Sequence, residues 1–185
     1  MIYVFLADGF EETEALTTVD ILRRASLNVQ TVAVKKDGNF VTSSHNITVA
    51  ADINQNDVTT ENLEGVVLPG GMPGTLNLEN SAVVVEYTAY CADNNLIIGA
   101  ICAAPSVLGK MNILNGKEAT CFPGFEKFLK AAKYTDAFTA CDGNIVTAKG
   151  MGATIPFALK LTEMFKDKAA AESVQASLQC PYSYE

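Results

Sequence analysis

The segment Leu96-Ile97-Ile98-Gly99-Ala100-Ile101-Cys102-Ala103-Ala104-Pro105-Ser106 joins an apolar run to a predicted helix. The six residues before Cys102 are apolar, which is typical of a strand buried on both faces of a parallel sheet. A helix is predicted to follow at once, over Ala103–Met111. The small residues on both sides of Cys102 permit a tight turn from strand to helix. Cys102 is therefore predicted to lie at the carboxyl end of a core strand, where open α/β sheets bind their ligands.

Apolar runs and amphipathic stretches alternate on either side of this segment, as they do in a parallel sheet covered by helices. The chain of 185 residues predicts one α/β domain, residues 1–185. The further predicted strands are Ile2–Ala7, Asn28–Val34 and Gly65–Leu68, and the further predicted helices are Glu11–Ala25, Ser81–Asp93, Thr154–Phe165 and Lys168–Leu178. Two hairpins are predicted, Phe40–Thr42 with Ile47–Ala50 as a small insertion, and Phe138–Cys141 with Ile145–Thr147.

The charge of the chain argues against two classes of partner. The chain has 13 lysines and arginines and 21 acidic residues, which gives a net charge of −8. Such a chain repels nucleic acid phosphates and anionic lipids, so neither nucleic acid nor membrane is expected as a partner. No apolar run approaches the ~20 residues that a membrane-spanning helix needs, and residues 1–7 read as a buried strand instead of a signal peptide.

The cysteines indicate free thiols. They are five in number, widely spaced and without a C-x-x-C pair: Cys91, Cys102, Cys121, Cys141 and Cys180. This pattern argues against a disulfide framework and against a zinc site, and it favours a cytoplasmic protein that holds no metal. The glycine-rich segments Pro69–Gly74 and Gly150–Gly152 match neither common phosphate-binding pattern, so no nucleotide cofactor is expected.

Two side chains are candidates for chemistry. The turn predicted at Cys102 lifts its sulfur out of the sheet, and the first N–H groups of the helix then favour the thiolate. The alternative is an inert core thiol, the commoner fate of a free cysteine. Glu14 lies one turn into the first helix, where burial near Cys102 would keep its carboxyl protonated and able to hydrogen-bond a thiolate. The alternative for Glu14, as for Glu11 and Glu12, is stabilisation of the helix N-terminus.

Backbone donors and the lone histidine complete the candidates. The N–H of Gly71 is predicted to join that of Ala103 in an oxyanion hole, although the loop is also explained as a turn that needs positive φ. His45 is the only histidine and falls in the predicted hairpin insertion, away from the carboxyl edge of the sheet. It is interpreted as a solvated turn residue, so a Cys–His pair within one subunit is not expected.

Three segments together closely resemble the DJ-1/ThiJ/PfpI superfamily over essentially the whole chain. They are Gly9–Glu14, Val67–Gly71 and Ala100–Pro105. The resemblance implies a flavodoxin-like three-layer α/β sandwich, a mostly parallel sheet with helices on both faces, that forms a homodimer. It implies that Cys102 is the reactive thiol, that Glu14 is the protonated acid beside it, and that Gly70, Gly71 and Ala103 line the oxyanion or substrate site.

The resemblance also implies a function. Members act without a cofactor on methylglyoxal, glyoxal or their adducts, as glyoxalases or deglycases. The alternative within the family is a redox-sensing chaperone, in which Cys102 would oxidise to a sulfinate held by Glu14.

Two positions depart from the family patterns. The peptidase branch has a histidine directly after its cysteine, where this chain has Ala103, so proteolysis is not favoured. Many glyoxalase-active members have a histidine before the proline of the segment that corresponds to Cys121–Pro123, where this chain has Phe122.

Family dimers often place a basic residue near the position of His45, so the resemblance leads to the hypothesis that His45 acts at the partner subunit's site.

Overall fold

A seven-stranded sheet forms the middle layer of the computed structural model, which describes residues 1–179. Cys180, one of the five predicted free thiols, lies outside the described residues. The strands are β1 Ile2–Leu6, β2 Val29–Ala33, β3 Phe40–Thr42, β4 Thr48–Ala50, β5 Ile53–Asn54, β6 Gly65–Leu68, β7 Ile97–Ile101, β8 Glu118–Ala119, β9 Lys133–Tyr134, β10 Thr139–Asp142 and β11 Ile145–Ala148. The strand order in the main sheet is β10-β11-β7-β6-β1-β2-β5, with only β10 antiparallel to its neighbour.

Helices cover both faces of this sheet, which confirms the predicted three-layer α/β architecture. They are α1 Glu12–Arg24, α2 Gly74–Glu79, α3 Ala82–Asp93, α4 Pro105–Lys110, α5 Thr154–Phe165 and α6 Lys168–Ser177. One apolar core lies between the sheet and α1 with α5, and includes Leu22 and Phe157. A second lies under α2, α3 and α4, and includes Leu78 and Leu108. Because both faces are covered, every residue of β1 is buried. Within residues 1–179, none of the helices has the length and apolar character that crossing a membrane requires.

Most predicted elements lie within one or two residues of their observed bounds, but the helix after Cys102 was predicted to begin too early. The chain turns at residues 102–104, and α4 begins only at Pro105. The reason is local: Cys102 has a φ of 65°, in the left-handed region, which a right-handed helix cannot include. Pro105 then occupies the first helical turn, where its missing N–H costs nothing. The prediction also missed the short helix α2 and the two-residue strands β5, β8 and β9.

The β3–β4 hairpin is antiparallel as predicted, but its place was predicted wrongly. It folds onto the loop that follows β1, where the Gly9 N–H donates to the Thr42 carbonyl at 2.7 Å and the Ser44 N–H donates to the Phe10 carbonyl at 2.8 Å. His45, at the tip of this hairpin, therefore lies at the carboxyl edge of the sheet and not away from it. Strand alternation does not report where a hairpin docks.

The functional candidates follow three neighbouring strands. From β1 the chain moves to β2 on one side, and it later returns to place β6 and β7 on the other side. Parallel strands whose connections run in opposite directions leave a crevice at their carboxyl ends, the usual ligand site of open α/β sheets. Glu14 follows β1, Gly70 and Gly71 follow β6, and Cys102 follows β7. The topology therefore brings these four residues to one crevice.

Candidate active site around Cys102

Cys102 is held in a strained backbone conformation by its neighbours. Its φ of 65° costs a residue with a side chain about 1–2 kcal/mol. The Cys102 N–H donates to the carbonyl of Ala148 at 2.9 Å, and the Cys102 carbonyl accepts from the N–H of Phe122 at 2.8 Å. These two bonds fix the peptide planes on either side of the residue, while the side chain stays partly exposed. Strain that the surrounding structure enforces is characteristic of functional sites.

Two backbone N–H groups point at the sulfur. They belong to Ala103, in the turn after β7, and to Gly71, in the loop after β6. Gly71 has a φ of 92°, and a Cβ there would lie 2.4 Å from the backbone nitrogen of Glu11. Only glycine brings this loop so close to the start of α1. The donors predicted for an oxyanion hole thus contact the sulfur of the unreacted site.

Glu14 is buried beside the thiol, with 1% of its surface exposed. Its Oε2 accepts the Gly70 N–H at 2.8 Å, and its Oε1 is buried with no hydrogen-bond donor from N–H or O–H groups of residues 1–179. A Cβ on Gly70 would lie 2.7 Å from Glu14 Oε2, 2.6 Å from Cys102 Cβ and 3.1 Å from Cys102 Sγ. The acid and the thiol therefore flank the bare face of Gly70. Gly70 was expected among the oxyanion or substrate residues; its N–H instead donates to Glu14.

Burial shifts the titration of both groups. It raises the pKa of Glu14 to about 7, against the opposing effect of hydrogen bonds with Cys102 and Gly70. Burial, then the charge of Glu14 and the hydrogen bond with it, raises the pKa of Cys102 to about 12, although the N–H groups of Ala103 and Gly71 lower it. The backbone N–H groups thus favour the thiolate, as predicted, but burial and the acid outweigh them.

The two groups consequently titrate as a pair. A charge on either one disfavours a charge on the other, so the pair loses one proton near neutral pH and holds the second to high pH. When Glu14 carries the remaining proton, its O–H donates to a thiolate that also receives two N–H bonds. This arrangement can supply a nucleophilic sulfur with an acid in contact.

His45 is not part of the thiol site. Its Nδ1 lies 2.8 Å from Oε1 of Glu12, and its side chain is exposed. Glu11 caps α1 by accepting the Glu14 N–H at 2.6 Å, as expected of a first-turn acid. Glu11, Glu12 and His45 place ligand atoms within 4.8 Å of one another, a spacing that a metal ion could bridge. Both carboxylates are already engaged within the chain.

Sequence reasoning missed the residues that act through their backbone. The carbonyl of Ala148 accepts the Cys102 N–H, and the N–H of Phe122 donates to the Cys102 carbonyl. Neither bond involves a side chain, so the residue types at positions 122 and 148 gave no indication of these bonds. Ala148 ends β11, the parallel neighbour of β7, and a prediction of strand order would have been the only route to it.

A sequence model of the DJ-1/PfpI family matches residues 1–164 of the chain. Protein dj-1beta of Drosophila melanogaster is 34% identical over 182 residues, which cover 97% of this chain and 97% of that protein. The Parkinson disease protein 7 homolog of Danio rerio is 34% identical over 179 residues, which cover 95% of this chain and 94% of that protein.

Solved structures of similar proteins have the same fold. Oxidized DJ-1 of Toxoplasma gondii superposes with a TM-score of 0.93 at 32% identity, over 98% of each chain. A mutant of a DJ-1 superfamily protein from Salmonella typhimurium superposes with a TM-score of 0.92 at 33% identity, over 98% of each chain. The likeness therefore spans the whole sheet and both helical layers.

Proposed function

This chain belongs to the DJ-1/PfpI family, and from that premise we propose that it is a cofactor-free enzyme whose Cys102 thiol acts on small α-oxoaldehydes. Methylglyoxal and glyoxal, or their adducts with amines and thiols, are the proposed substrates, so the activity is of the glyoxalase or deglycase type. The observation that carries the proposal is the contact between the Cys102 thiol and the buried Glu14, whose pKa is raised to about 7 by burial. An acid that titrates near neutral pH can both give and take a proton during turnover.

The proposed reaction needs only water besides the aldehyde. The Cys102 thiolate adds to the aldehyde carbon, and the carbonyl electron pair becomes an alkoxide that takes a proton from Glu14. The N–H groups of Gly71 and Ala103 contact the sulfur, and the alkoxide oxygen is two bonds from that sulfur, so we propose that these groups donate to the alkoxide. The ionised Glu14 then removes the proton of that carbon, which gives an enediol, and returns it to the neighbouring carbon. The hydroxyl proton passes at the same time from the first oxygen to the second, so the product is a 2-hydroxy thioester. Water cleaves the thioester, releasing lactate from methylglyoxal and restoring the thiol.

Lactate formation from methylglyoxal tests this proposal. Cys102→Ser should abolish it, and Glu14→Gln should lower kcat by roughly 10²-fold or more, because the amide cannot transfer the proton. Cys141→Ser is the matched control, since Cys141 is an exposed thiol on the edge strand β10. Equal rates in the wild type, Cys102→Ser and Glu14→Gln would overturn the proposal.

A redox sensor and chaperone is the second candidate, and one feature of the site favours it. The two N–H groups and the protonated Glu14 that surround the sulfur offer three donors to the oxygens of a sulfinate. A similar protein, DJ-1 of Toxoplasma gondii, is known in an oxidized structure. This candidate predicts a gain of about 32 Da at Cys102 alone under mild peroxide, by peptide mass mapping. Uniform oxidation of the cysteines would contradict it.

Peptidase activity is not proposed, because no histidine is placed to activate the thiol. Ala103 follows the cysteine, and His45 is paired with Glu12. We further propose a homodimer in a reducing compartment such as the cytoplasm. Family membership supports the dimer, and the unpaired Cys91, Cys121 and Cys141 support the compartment.

A further inference from the structure

Glu11 lies where the start of α1 meets the loop that follows β6. Its own N–H donates to the carbonyl of Gly70 at 2.9 Å, and its Oε2 accepts the N–H of Glu14 at 2.6 Å. Gly71 packs against the same backbone, because a Cβ there would lie 2.4 Å from the Glu11 nitrogen. Glu11 therefore contacts both the acid of the pair and the two glycines beside that acid.

The side chain of Glu11 also carries a charge that capping does not require. It occupies the N-cap of α1, a position where the uncharged serine and asparagine are among the preferred residues. Within residues 1–179 no basic side chain forms an ion pair with Glu11, since His45 pairs with Glu12 instead. The carboxylate of Glu11 therefore acts on its surroundings as an unpaired negative charge.

This charge acts on one member of the reactive pair. Burial is the largest cause of the raised pKa of Glu14, and the charge of Glu11 raises that pKa further. The other groups that face the Glu14 carboxyl are the Cys102 thiol and the uncharged N–H of Gly70. The pKa of Cys102 responds to burial, to Glu14 and to two backbone N–H groups, with no contribution from Glu11. Glu11 thus disfavours a charge on Glu14 without disfavouring one on the sulfur.

From these contacts we propose that Glu11 is a positioning residue that keeps the remaining proton of the pair on Glu14 and leaves the negative charge on the Cys102 sulfur. Its hydrogen bonds hold the first turn of α1 and the loop after β6 together, and its charge sets which member of the pair ionises. The inference rests on the proposed function, because it assigns a further residue to the same site. It is tested without an α-oxoaldehyde, because alkylation reports the thiolate directly.

The test measures the rate of Cys102 alkylation by iodoacetamide between about pH 5.5 and about pH 8.5, by peptide mass mapping. Glu11→Gln keeps an acceptor oxygen at the same length but removes the charge. Its rate should equal that of the wild type at about pH 5.5, where both groups of the pair are protonated. At about pH 8.5 its rate should be lower by roughly threefold or more, because more of the singly ionised pair then carries its charge on Glu14. The midpoint of the profile should move to lower pH.

Three further variants separate the charge from the cap. Glu11→Asp keeps a carboxylate and is a preferred N-cap, so it should restore most of the rate at about pH 8.5. Glu11→Gln added to Glu14→Gln should leave the rate of the single Glu14 variant unchanged, because Glu11 acts through Glu14. Glu12→Gln is the matched control and should keep the wild-type profile, since Glu12 is the next acid of the same turn but faces His45.

A wild-type profile in Glu11→Gln would overturn the proposal. An equal fall in rate at every pH, with lower stability in urea, would also overturn it, because only a helix cap would then have been lost. So would a fall in rate when Glu11→Gln is added to Glu14→Gln, since the charge would then act on the sulfur itself. Lactate formation is measured separately. The expected alkylation profiles in a protein that forms no lactate would support the role of Glu11 and remove only the proposed substrate.

Discussion

At the scale of single residues, the left-handed conformation of Cys102 is the feature that creates the site. With φ at 65°, the chain leaves the strand direction of β7 and projects the sulfur toward Gly71 and Glu14. A cysteine in ordinary extended backbone would continue the strand and bury its side chain on one face of the sheet. The strain is sustained by backbone bonds to Ala148 and Phe122, which belong to other elements.

Because of this strain, Cys102→Gly should be more stable than Cys102→Ala by about 1 kcal/mol. Glycine adopts positive φ freely, whereas alanine keeps the steric cost that cysteine has. Urea unfolding of the two variants measures the difference. Ala103→Gly is the control, since Ala103 has negative φ and its change to glycine should destabilise the protein. If Cys102→Ala were the more stable variant, the left-handed conformation would not be strained.

The raised pKa of Glu14 predicts a pH-dependent stability. Burial raises this pKa from 4.5 to about 7, so the folded chain binds the proton more tightly than the unfolded chain. The contribution of Glu14 to the free energy of unfolding is therefore fully present below about pH 4.5 and is lost as the pH rises through 7. The shift corresponds to about 3 kcal/mol.

Glu14→Gln does not titrate, so it should gain about 3 kcal/mol relative to the wild type between pH 4 and pH 8.5. Urea unfolding of both proteins at a series of pH values measures this change. A difference between the two proteins that stays constant over that range would mean that Glu14 does not hold its proton in the folded state.

At the scale of elements, the loop after β6 performs two tasks with adjacent glycines. Gly71 supplies an N–H to the sulfur, and Gly70 supplies an N–H to Glu14. Only Gly71 has positive φ. Glycine is therefore needed at position 70 because Glu14 and Cys102 leave no room for a Cβ. The backbone conformation at this position does not require it.

Gly70→Ala should for this reason lower the rate of Cys102 alkylation by iodoacetamide by roughly tenfold or more, because a Cβ at 2.6 Å from Cys102 Cβ must displace the thiol or Glu14. Gly116→Ala is the control. Gly116 has a φ of 75° with open space around it, so alanine there adds strain of about 1 kcal/mol and leaves the thiol unchanged. If Gly70→Ala were alkylated at the wild-type rate, the reactivity of Cys102 would not depend on the close approach of Glu14 and Cys102 to Gly70.

Elements with strong periodicity could be predicted from the sequence, and the junctions between them could not. The prediction for Thr154–Phe165 matches the observed helix, and Gly65–Leu68 matches the observed strand, because apolar spacing reports burial directly. The start of α4 was missed because a single left-handed residue leaves no periodic signal. The strands β5, β8 and β9 have two residues each, too few for any alternation to be visible.

The candidate site shows the same division. Cys102 and Glu14 were singled out by residue type and position, and the structure brings them together. The place of His45 was wrong, because it depends on bonds from Gly9 and Ser44 to distant carbonyls.

At the scale of the whole molecule, one exposed face fits the proposed dimer. The β3–β4 hairpin is bound to the loop before α1 through Ser44 and to the first residue of α1 through the pair of His45 with Glu12, so the hairpin and the helix form a continuous surface. Leu16 on α1 and Ile47 on the hairpin expose apolar side chains there. An apolar centre with a charged rim is typical of interfaces between subunits.

If two copies meet through this face, Ile47→Asp should weaken the dimer at least tenfold, because the interface would have to bury an unpaired charge. Sedimentation equilibrium should give about twice the mass of one chain for the wild type and close to a single mass for the variant at low micromolar concentration. Leu76→Asp is the control, since Leu76 is similarly exposed, at 42% against 49% for Ile47, but lies on α2. A dimer of unchanged affinity in Ile47→Asp would exclude this face, and His45 would then have no route to a partner subunit's site.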